Sequence, residues 1–395
     1  MSRRGTLRRL RWSARAVAQL VLGLLPWVPT RGPTRAAQVT PSWLNGTLAA
    51  RVDGAEACSV RVLGGTSGTT DRRRLAIEWN EPGRTAGLPA AVFVKSTPLT
   101  AKNRTMVASL DMAVNEVRFY RQVRDEVGDI APHAWFTHSG WGARHLLVLD
   151  DLSALGCRTY VIADAADIAH AEAVIDILAR LHAVYWESPR FDGELAWVRR
   201  WSERPGYVVL KTFYRTGRRK ALTMPGWDFD TPAVRALVNE LTRFDTVIWR
   251  RIEELPSTLL HGDPHLGNTY SLPDGTAGLL DWQVVWRGPG LRDASYFILS
   301  ALEPEQRRLH ERALLTRYID GLRERGITNL PTDDEAYQLY LMFVIEAFDA
   351  AALTVAWPGL CGVAGVAACV RRIHAAVEEL DLTAALHRLV ADVRS

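Results

Sequence analysis

The residues whose types and spacing could do chemistry lie between Thr258 and Trp282, in the stretch TLLHGDPHLGNTYSLPDGTAGLLDW. Leu259 and Leu260 lead into His261-Gly262-Asp263, Asn268 stands five residues past Asp263, and Thr276 to Leu280 deliver Asp281. Pro273-Asp274-Gly275 between two short apolar-rich runs predicts a hairpin, because each residue suits a turn position for its own steric reason. Asn268 lies six residues before Asp274 and Asp281 seven after it, so the hairpin is expected to set Asn268 opposite Asp281. Asp263, in the preceding loop, should point at the same place. Two carboxylates and an amide oxygen converging on one spot suit magnesium holding nucleotide phosphates. Phosphoryl transfer asks for a fixed metal, held phosphates and an aimed acceptor hydroxyl. In that scheme Asp263 accepts or orients the hydroxyl proton, and Asn268 and Asp281 bind magnesium. Either piece alone reads as a polar turn or a strand end. The whole pattern, H-G-D-x4-N, a hairpin, then apolar-apolar-D-W, is specific.

HGDPHLGN followed by LLDW resembles the catalytic loop and metal-binding segment of the aminoglycoside phosphotransferase and choline kinase superfamily, small-molecule kinases with the protein-kinase fold. One departure is Asp281-Trp282-Gln283, where protein kinases read D-F-G; it weakens a protein-kinase reading rather than a kinase reading. NEVRFY and LLVLDDL are most similar to the ecdysteroid-kinase-like branch. The resemblance implies an α+β, two-lobed protein-kinase-like fold. Its small lobe would carry an antiparallel sheet plus a helix, and its larger C-lobe would be mostly helical. It also implies ATP and Mg2+ as cofactors.

The elements that must position these residues follow in chain order. Thr40-Pro41 predicts the start of a short helix, with Thr40 as N-cap and Pro41 in its first turn. Ser59 to Leu63, Gly64-Gly65-Thr66-Ser67-Gly68-Thr69-Thr70 and Leu75 to Trp79 read as strand, Gly-rich turn, strand. Backbone N–H groups around Gly64, Gly65 and Gly68 could cover nucleotide phosphates, since glycine permits close approach. By itself such a stretch is more often only a hairpin. No G-x4-G-K-[ST] is present, so it is not a P-loop. Lys95 ends the apolar strand AAVFVK; such lysines usually snorkel, but the resemblance implies the kinase lysine that grips the α- and β-phosphates. Val114 to Val123 reads as a helix carrying Glu116, which would pair with that lysine. His145 to Leu149 reads as the buried strand leading into a hinge at Asp150-Asp151-Leu152.

The larger lobe opens with a helix from Ala165 to Tyr185, in which His182 reads as a packing residue. Residues 186–230 are aromatic and basic, with Arg215 to Lys220 reading as a solvated run. Thr231-Pro232 opens a further helix. The resemblance implies that Asp293, near the start of a helix after Asp281, braces the catalytic loop. Tyr337 to Ala356 is nearly all apolar yet contains Glu346 and Asp349, acids that need partners if buried. Those acids argue against a membrane span. An arginine is the expected partner.

The chain has 395 residues, a 48% hydrophobic share and four cysteines in no C-x-x-C arrangement. That argues against a zinc site or a disulfide framework and suits a reducing, cytoplasmic setting. The net charge of +4 hides an asymmetry. Residues 1–50 hold eight arginines and no acid, which leaves −4 for the remainder. The body therefore offers nothing toward nucleic acid. On a helix from Thr6 to Leu22, Leu7, Leu10, Ala14, Val17 and Val21 share a face beside Arg4, Arg8, Arg11 and Arg15. Peripheral contact with an anionic membrane surface, packing on the body and an export signal are all open readings for it.

The expected organisation is a basic amphipathic extension over 1–36, a nucleotide-binding N-lobe over 37–152, and a C-lobe with catalytic loop and substrate site over 153–395. The expected activity is ATP- and Mg-dependent phosphorylation of a hydroxyl on a small-molecule alcohol. Residues 291–395 carry 15 acids against 11 bases, too modest an excess for a polycation pocket. A neutral or apolar alcohol, sterol-like or polyketide-like, is favoured over an aminoglycoside. An aminoglycoside-type antibiotic kinase and an inactive kinase-fold binding module at a membrane surface are the alternatives.

Overall fold

The structure, a computed structural model, describes residues 15, 17–204 and 207–391, without the side chains of 208, 209, 346, 360 and 389–391. Its backbone contacts divide the chain into two units, Met1–Arg158 with Asp281–Val284, and Thr159–Leu280 with Val285–Ser395. The fold is mixed α+β, with an antiparallel sheet in the N-terminal part of the chain.

In the first unit, five antiparallel strands form a sheet in the order β1-β2-β3-β5-β4. They are β1 (Ala57–Ser67), β2 (Asp71–Trp79), β3 (Ala91–Ser96), β4 (Ala134–Ser139) and β5 (His145–Asp150). Alternation sets the buried face: Leu75, Ile77 and Trp79 of β2 meet Val92 and Val94 of β3 and Leu146 and Val148 of β5. The helices of this unit are α1 (residues 17–24), α2 (Pro41–Asn45), α3 (Glu81–Thr85), α4 (Ala101–Ser109), α5 (Met112–Gln122) and α6 (Arg124–Val127). Thr40 caps α2 by accepting from the Trp43 N–H, as its sequence predicts. Leu7, Leu10, Ala14 and the arginines at 4, 8 and 11 lie outside the described residues.

The glycine-rich stretch differs from the sequence expectation. Gly64 and Gly65 continue β1, paired with Arg74 and Arg73 of β2, and only Gly68 sits at the turn. A bulge interrupts the pairing between Val62 and Gly64. A Cβ at Gly65 would stand 2.1 Å from the Arg72 carbonyl oxygen, so no other residue fits there.

A two-residue strand, β6 (Arg158–Thr159), marks the boundary between the units. The second unit is helical around short strands. Its helices are α7 (Ile168–Val184), α8 (Tyr207–Ala221), α9 (Pro232–Glu254), α10 (Leu291–Ala301), α11 (Pro304–Glu324), α12 (Asp333–Ala356), α13 (Gly362–Glu379) and α14 (Leu382–Ala391). Thr231 caps α9, with Pro232 in its first turn. α12 is long and apolar enough to cross a membrane, but 76% of its apolar window is buried inside the protein, against α8, α10 and α13. The Glu346 side chain lies outside the described residues. Asp349 is buried and bound by Arg218, at 2.5 and 2.6 Å. Arg218 is itself buried, which corrects the reading of 215–220 as a wholly solvated run. A Cβ at Gly217 would lie 2.5 Å from Leu353 of α12, so that turn of α8 faces the neighbouring helix rather than water.

Strand β7 (Thr258–Leu260) pairs with β10 (Trp286–Gly288), and β8 (Thr269–Ser271) with β9 (Ala277–Leu279). The predicted hairpin is β8–β9, one residue out of the expected register. Thr269 faces Leu279, and the Leu280 N–H donates to the Asn268 carbonyl at 2.7 Å, so Asn268 stands opposite Leu280 and not Asp281. The cause is the turn. Leu272 and Thr276 close a three-residue loop, Pro273-Asp274-Gly275, with Gly275 at φ +87°. Such a loop is centred on its middle residue and needs glycine at the left-handed position.

Candidate active site

Lys95 leaves β3 on the sheet face that meets α5 and is 4% exposed. A buried ammonium needs partners, and it has two. Its Nζ donates to Glu116 Oε1 at 2.6 Å and to Asp281 Oδ1 at 3.1 Å. Arg72 faces Lys95 across the β2–β3 register and reaches Asp281 Oδ2 at 3.4 Å. Gln283 Nε2 donates to Asp281 Oδ1. Asp281 holds φ +64°, a left-handed conformation that a non-glycine residue keeps only where its surroundings demand it. Trp282 supplies one such demand. Its indole lies flat on Phe119, at 3.8 Å between centroids and 8° between planes, with both rings fully buried. Phe119 is one helical turn from Glu116 on α5, so this stack ties the helix glutamate to the segment that carries Asp281.

Burial pushes the Glu116 carboxyl up to about 7, opposed by the charge of Lys95 and assisted by that of Asp281. The sign of the stability effect follows. Between the usual glutamate range and about pH 7 the folded state keeps a proton that the unfolded chain has released. Stability from this group is therefore full below that range, falls as pH rises toward 7, and is level above it. The Lys95–Glu116 pair becomes a full ion pair over the same rise. Glu116→Gln should flatten the downward stability slope, and denaturant midpoints on either side of pH 7 check it.

In the second unit, Asp263 sits in the loop after β7. Asp293, fully buried on α10, braces this loop, as its position implied. It accepts from the backbone N–H of His261 at 2.7 Å and of Gly262 at 3.3 Å, and from Arg292 at 2.9 Å. Burial would raise its carboxyl, but the His182 ring at 3.6 Å and the charge of Arg292 hold it at about 2. His182 also meets Tyr318 through Nδ1 at 2.9 Å, the packing role expected of it. His261 locks the loop further: its Nδ1 accepts from the Asp263 N–H at 3.2 Å, which leaves Nε2 to donate to the Leu280 carbonyl at 2.7 Å.

Tyr296 Oη donates to Asp263 Oδ1 at 3.0 Å. Burial, reinforced by the Asp263 charge, keeps this phenol protonated well above its usual range. One carboxylate oxygen is thereby fixed, while Oδ2 has the His265 ring at 3.7 Å. Tyr296→Phe should cost about 1 kcal/mol of stability for the lost hydrogen bond, which urea unfolding tests.

Asn268 Nδ2 donates to the Asp263 carbonyl at 2.9 Å. Only the amide nitrogen can donate, so this bond assigns the amide and leaves Oδ1 as the atom able to coordinate a cation. The Asp281 carboxylate of the first unit likewise offers oxygen, the atom type that magnesium takes. Among the described residues no three His, Cys, Asp or Glu gather as a metal site.

The first unit brings together Lys95, Glu116 and Asp281, with Gly64, Gly65 and Gly68 on the β1–β2 hairpin beside Arg72. The second brings together Asp263 and Asn268. Sequence reasoning missed Arg72, Gln283 and Tyr296. For Arg72 the signal was three successive arginines on the strand leaving the glycine hairpin. For Tyr296 it was the i, i+4 spacing from Arg292, whose guanidinium lies 4.8 Å from the Tyr296 ring centroid.

The profile of the ecdysteroid kinase-like family matches residues 73–328 of the chain. No curated protein matches it. Among solved structures, the choline kinase from Cryptosporidium parvum Iowa II is similar with a TM-score of 0.51 and 10% identity, over 84% of this chain and 90% of that one. The choline kinase LicA from Streptococcus pneumoniae has a TM-score of 0.48 and 12% identity, over 86% and 99%. The Plasmodium vivax ethanolamine kinase has 0.47 and 9%, over 80% and 81%. At such identities the likeness, carried by the first of these, is one of fold.

Proposed function

The chain belongs to the ecdysteroid kinase-like family, and we propose that it transfers the γ-phosphoryl group of ATP, with magnesium, to a hydroxyl of a small organic molecule. The observation that carries this reading is the buried Lys95 held between Glu116 and Asp281, with Asp281 in a left-handed backbone. Such strain and such a buried charge cluster are characteristic of sites built for charged ligands.

Each residue then has a task. Glu116 keeps the Lys95 ammonium on the α- and β-phosphates, and Arg72 adds a second cation to the same group. The backbone of the β1–β2 hairpin, at Gly64, Gly65 and Gly68, covers the phosphates. Asp281 and Asn268 Oδ1 would hold magnesium, which would supply positive charge against that developing on the phosphate oxygens. Asp263, fixed by Tyr296, takes the proton of the acceptor hydroxyl through Oδ2. The acceptor oxygen bonds to the γ-phosphorus, the bond from that phosphorus to the β–γ bridging oxygen breaks, and ADP leaves.

The acceptor class favoured is a neutral or apolar alcohol, since the residues from 291 onward carry too small an acidic excess for a polycation. The test is radiolabelled phosphate transfer from ATP across a panel of sterols, polyketide alcohols, amino alcohols and aminoglycosides. Magnesium-dependent label in a neutral alcohol supports the proposal. Label only in an aminoglycoside overturns the substrate class. ATP binding without label in any alcohol, under conditions where the protein is folded, counts against the activity itself.

A further inference from the structure

Helix α1 turns the wrong way for a soluble protein. A surface helix normally packs its apolar stripe inward and shows polar residues to water. Here the polar Gln19 is buried, and its Oε1 accepts from the Gly142 N–H at 2.5 Å. Gly23 is also on the inner face, 3.3 Å from the α4 backbone as measured from a built Cβ. Val17, Val21 and Leu24, spaced i, i+4, i+7, face outward at 60%, 55% and 60% exposure, and Trp27 just beyond them is 74% exposed. Leu25 and Trp141 extend the same exposed apolar surface, and the Arg15 guanidinium lies over the Trp141 ring at 5.4 Å.

This orientation is held by two cations of the body. Arg144 donates to the carbonyls of Leu22, at 2.8 Å, and Leu25, at 2.5 Å; Arg104 donates to Gly23, at 3.1 Å. Both arginines are buried. Their charges sit on the last carbonyls of α1, where a helix end leaves acceptors without partners and favours positive charge. The helix cannot roll its apolar face inward without breaking these bonds and exposing them.

The charge of the sequence leading into this face names the occupant. Arg3, Arg4, Arg8, Arg9, Arg11 and Arg15 precede it, and no Asp or Glu occurs before Asp53. An outward apolar strip, an exposed tryptophan and a run of arginines without a single acid match an anionic lipid surface: the apolar side chains enter the headgroup–acyl boundary, the indole stays at its level, and the arginines meet lipid phosphates. We propose that α1 and the residues just after it dock the protein on an anionic lipid bilayer through Val17, Val21, Leu24 and Trp27. This inference stands apart from the phosphotransferase reading.

The experiment is flotation of the full chain with phosphatidylcholine vesicles, with and without phosphatidylserine. Binding is expected only with phosphatidylserine, and weakening steeply as salt is raised. The double variant Val21→Asp, Leu24→Asp should lose flotation while its circular dichroism and melting stay those of the parent, because both side chains already face water. A second variant, Arg4→Gln, Arg8→Gln, Arg11→Gln, leaves the apolar strip intact and should weaken partition about a hundredfold. No flotation of the parent, equal flotation without phosphatidylserine, or undiminished flotation of the Asp variant overturns the proposal. So does a parent dimer that the Asp variant dissolves in the absence of any lipid binding, which would assign the face to a second copy of the chain.

Discussion

Asp263→Asn should lose turnover by about 10³-fold while keeping nucleotide affinity within about twofold, the loss expected when a positioned proton acceptor is removed. Asparagine has the shape of aspartate, and its amide oxygen can still accept from Tyr296 at the position now held by Oδ1. The backbone of the loop is held by Asp293 and His261, not by the Asp263 carboxylate. The variant therefore changes the chemistry of one group without moving it. Steady-state kinetics with calorimetric titration of nucleotide separate the two quantities. An unchanged kcat in a folded Asp263→Asn protein would remove the proton acceptor from the scheme.

Asp281→Ala should abolish the magnesium-dependent part of nucleotide binding. In the free protein Lys95 and Arg72 neutralise the Asp281 carboxylate, so magnesium alone has little to gain there. A triphosphate offers those two cations a better partner and frees the carboxylate for the metal. Nucleotide and magnesium should therefore bind cooperatively, each raising the affinity for the other by the same factor. At a ligand concentration near 100 times the dissociation constant, binding stabilises the fold by about 2.7 kcal/mol; the variant is expected to lose most of that. Because Asp281 holds a left-handed backbone, alanine carries local strain of its own. Asp281→Asn tolerates that backbone better and should show the same loss of magnesium dependence with a smaller change in unliganded stability. If the two variants differ in magnesium response, the effect lies in the backbone and not in the charge.

The catalytic loop was the most legible part of the sequence because its chemistry is local. His261, Asp263 and Asn268 lie within eight consecutive residues, and the chemistry they suit is read from residue type and spacing. The helix and strand that carry Glu116 and Lys95 were legible from apolar periodicity. What the sequence withheld depends on register between segments that are distant in the chain. Arg72 matters because β2 pairs with β3 so that Arg72 meets Lys95, and a shift of one residue would send it to the other face of the sheet. The β8–β9 hairpin shows the same sensitivity: the turn residues were recognised, but a loop centred on Asp274 places Leu280, not Asp281, opposite Asn268. Arg218 looked solvated in a run of cations, yet one helical face of that run meets the buried Asp349. Tyr296 carried no mark beyond its spacing from Arg292, because its task is to hold another side chain.

The measurement that bears most directly on the central claim is thermal unfolding of the full chain with ATP alone, magnesium alone and both together, in parallel with Asp281→Asn. The account predicts a large upward shift only with both ligands in the parent protein, and no magnesium dependence in the variant. A shift with ATP that ignores magnesium, or no shift with either ligand in a folded parent protein, would contradict it.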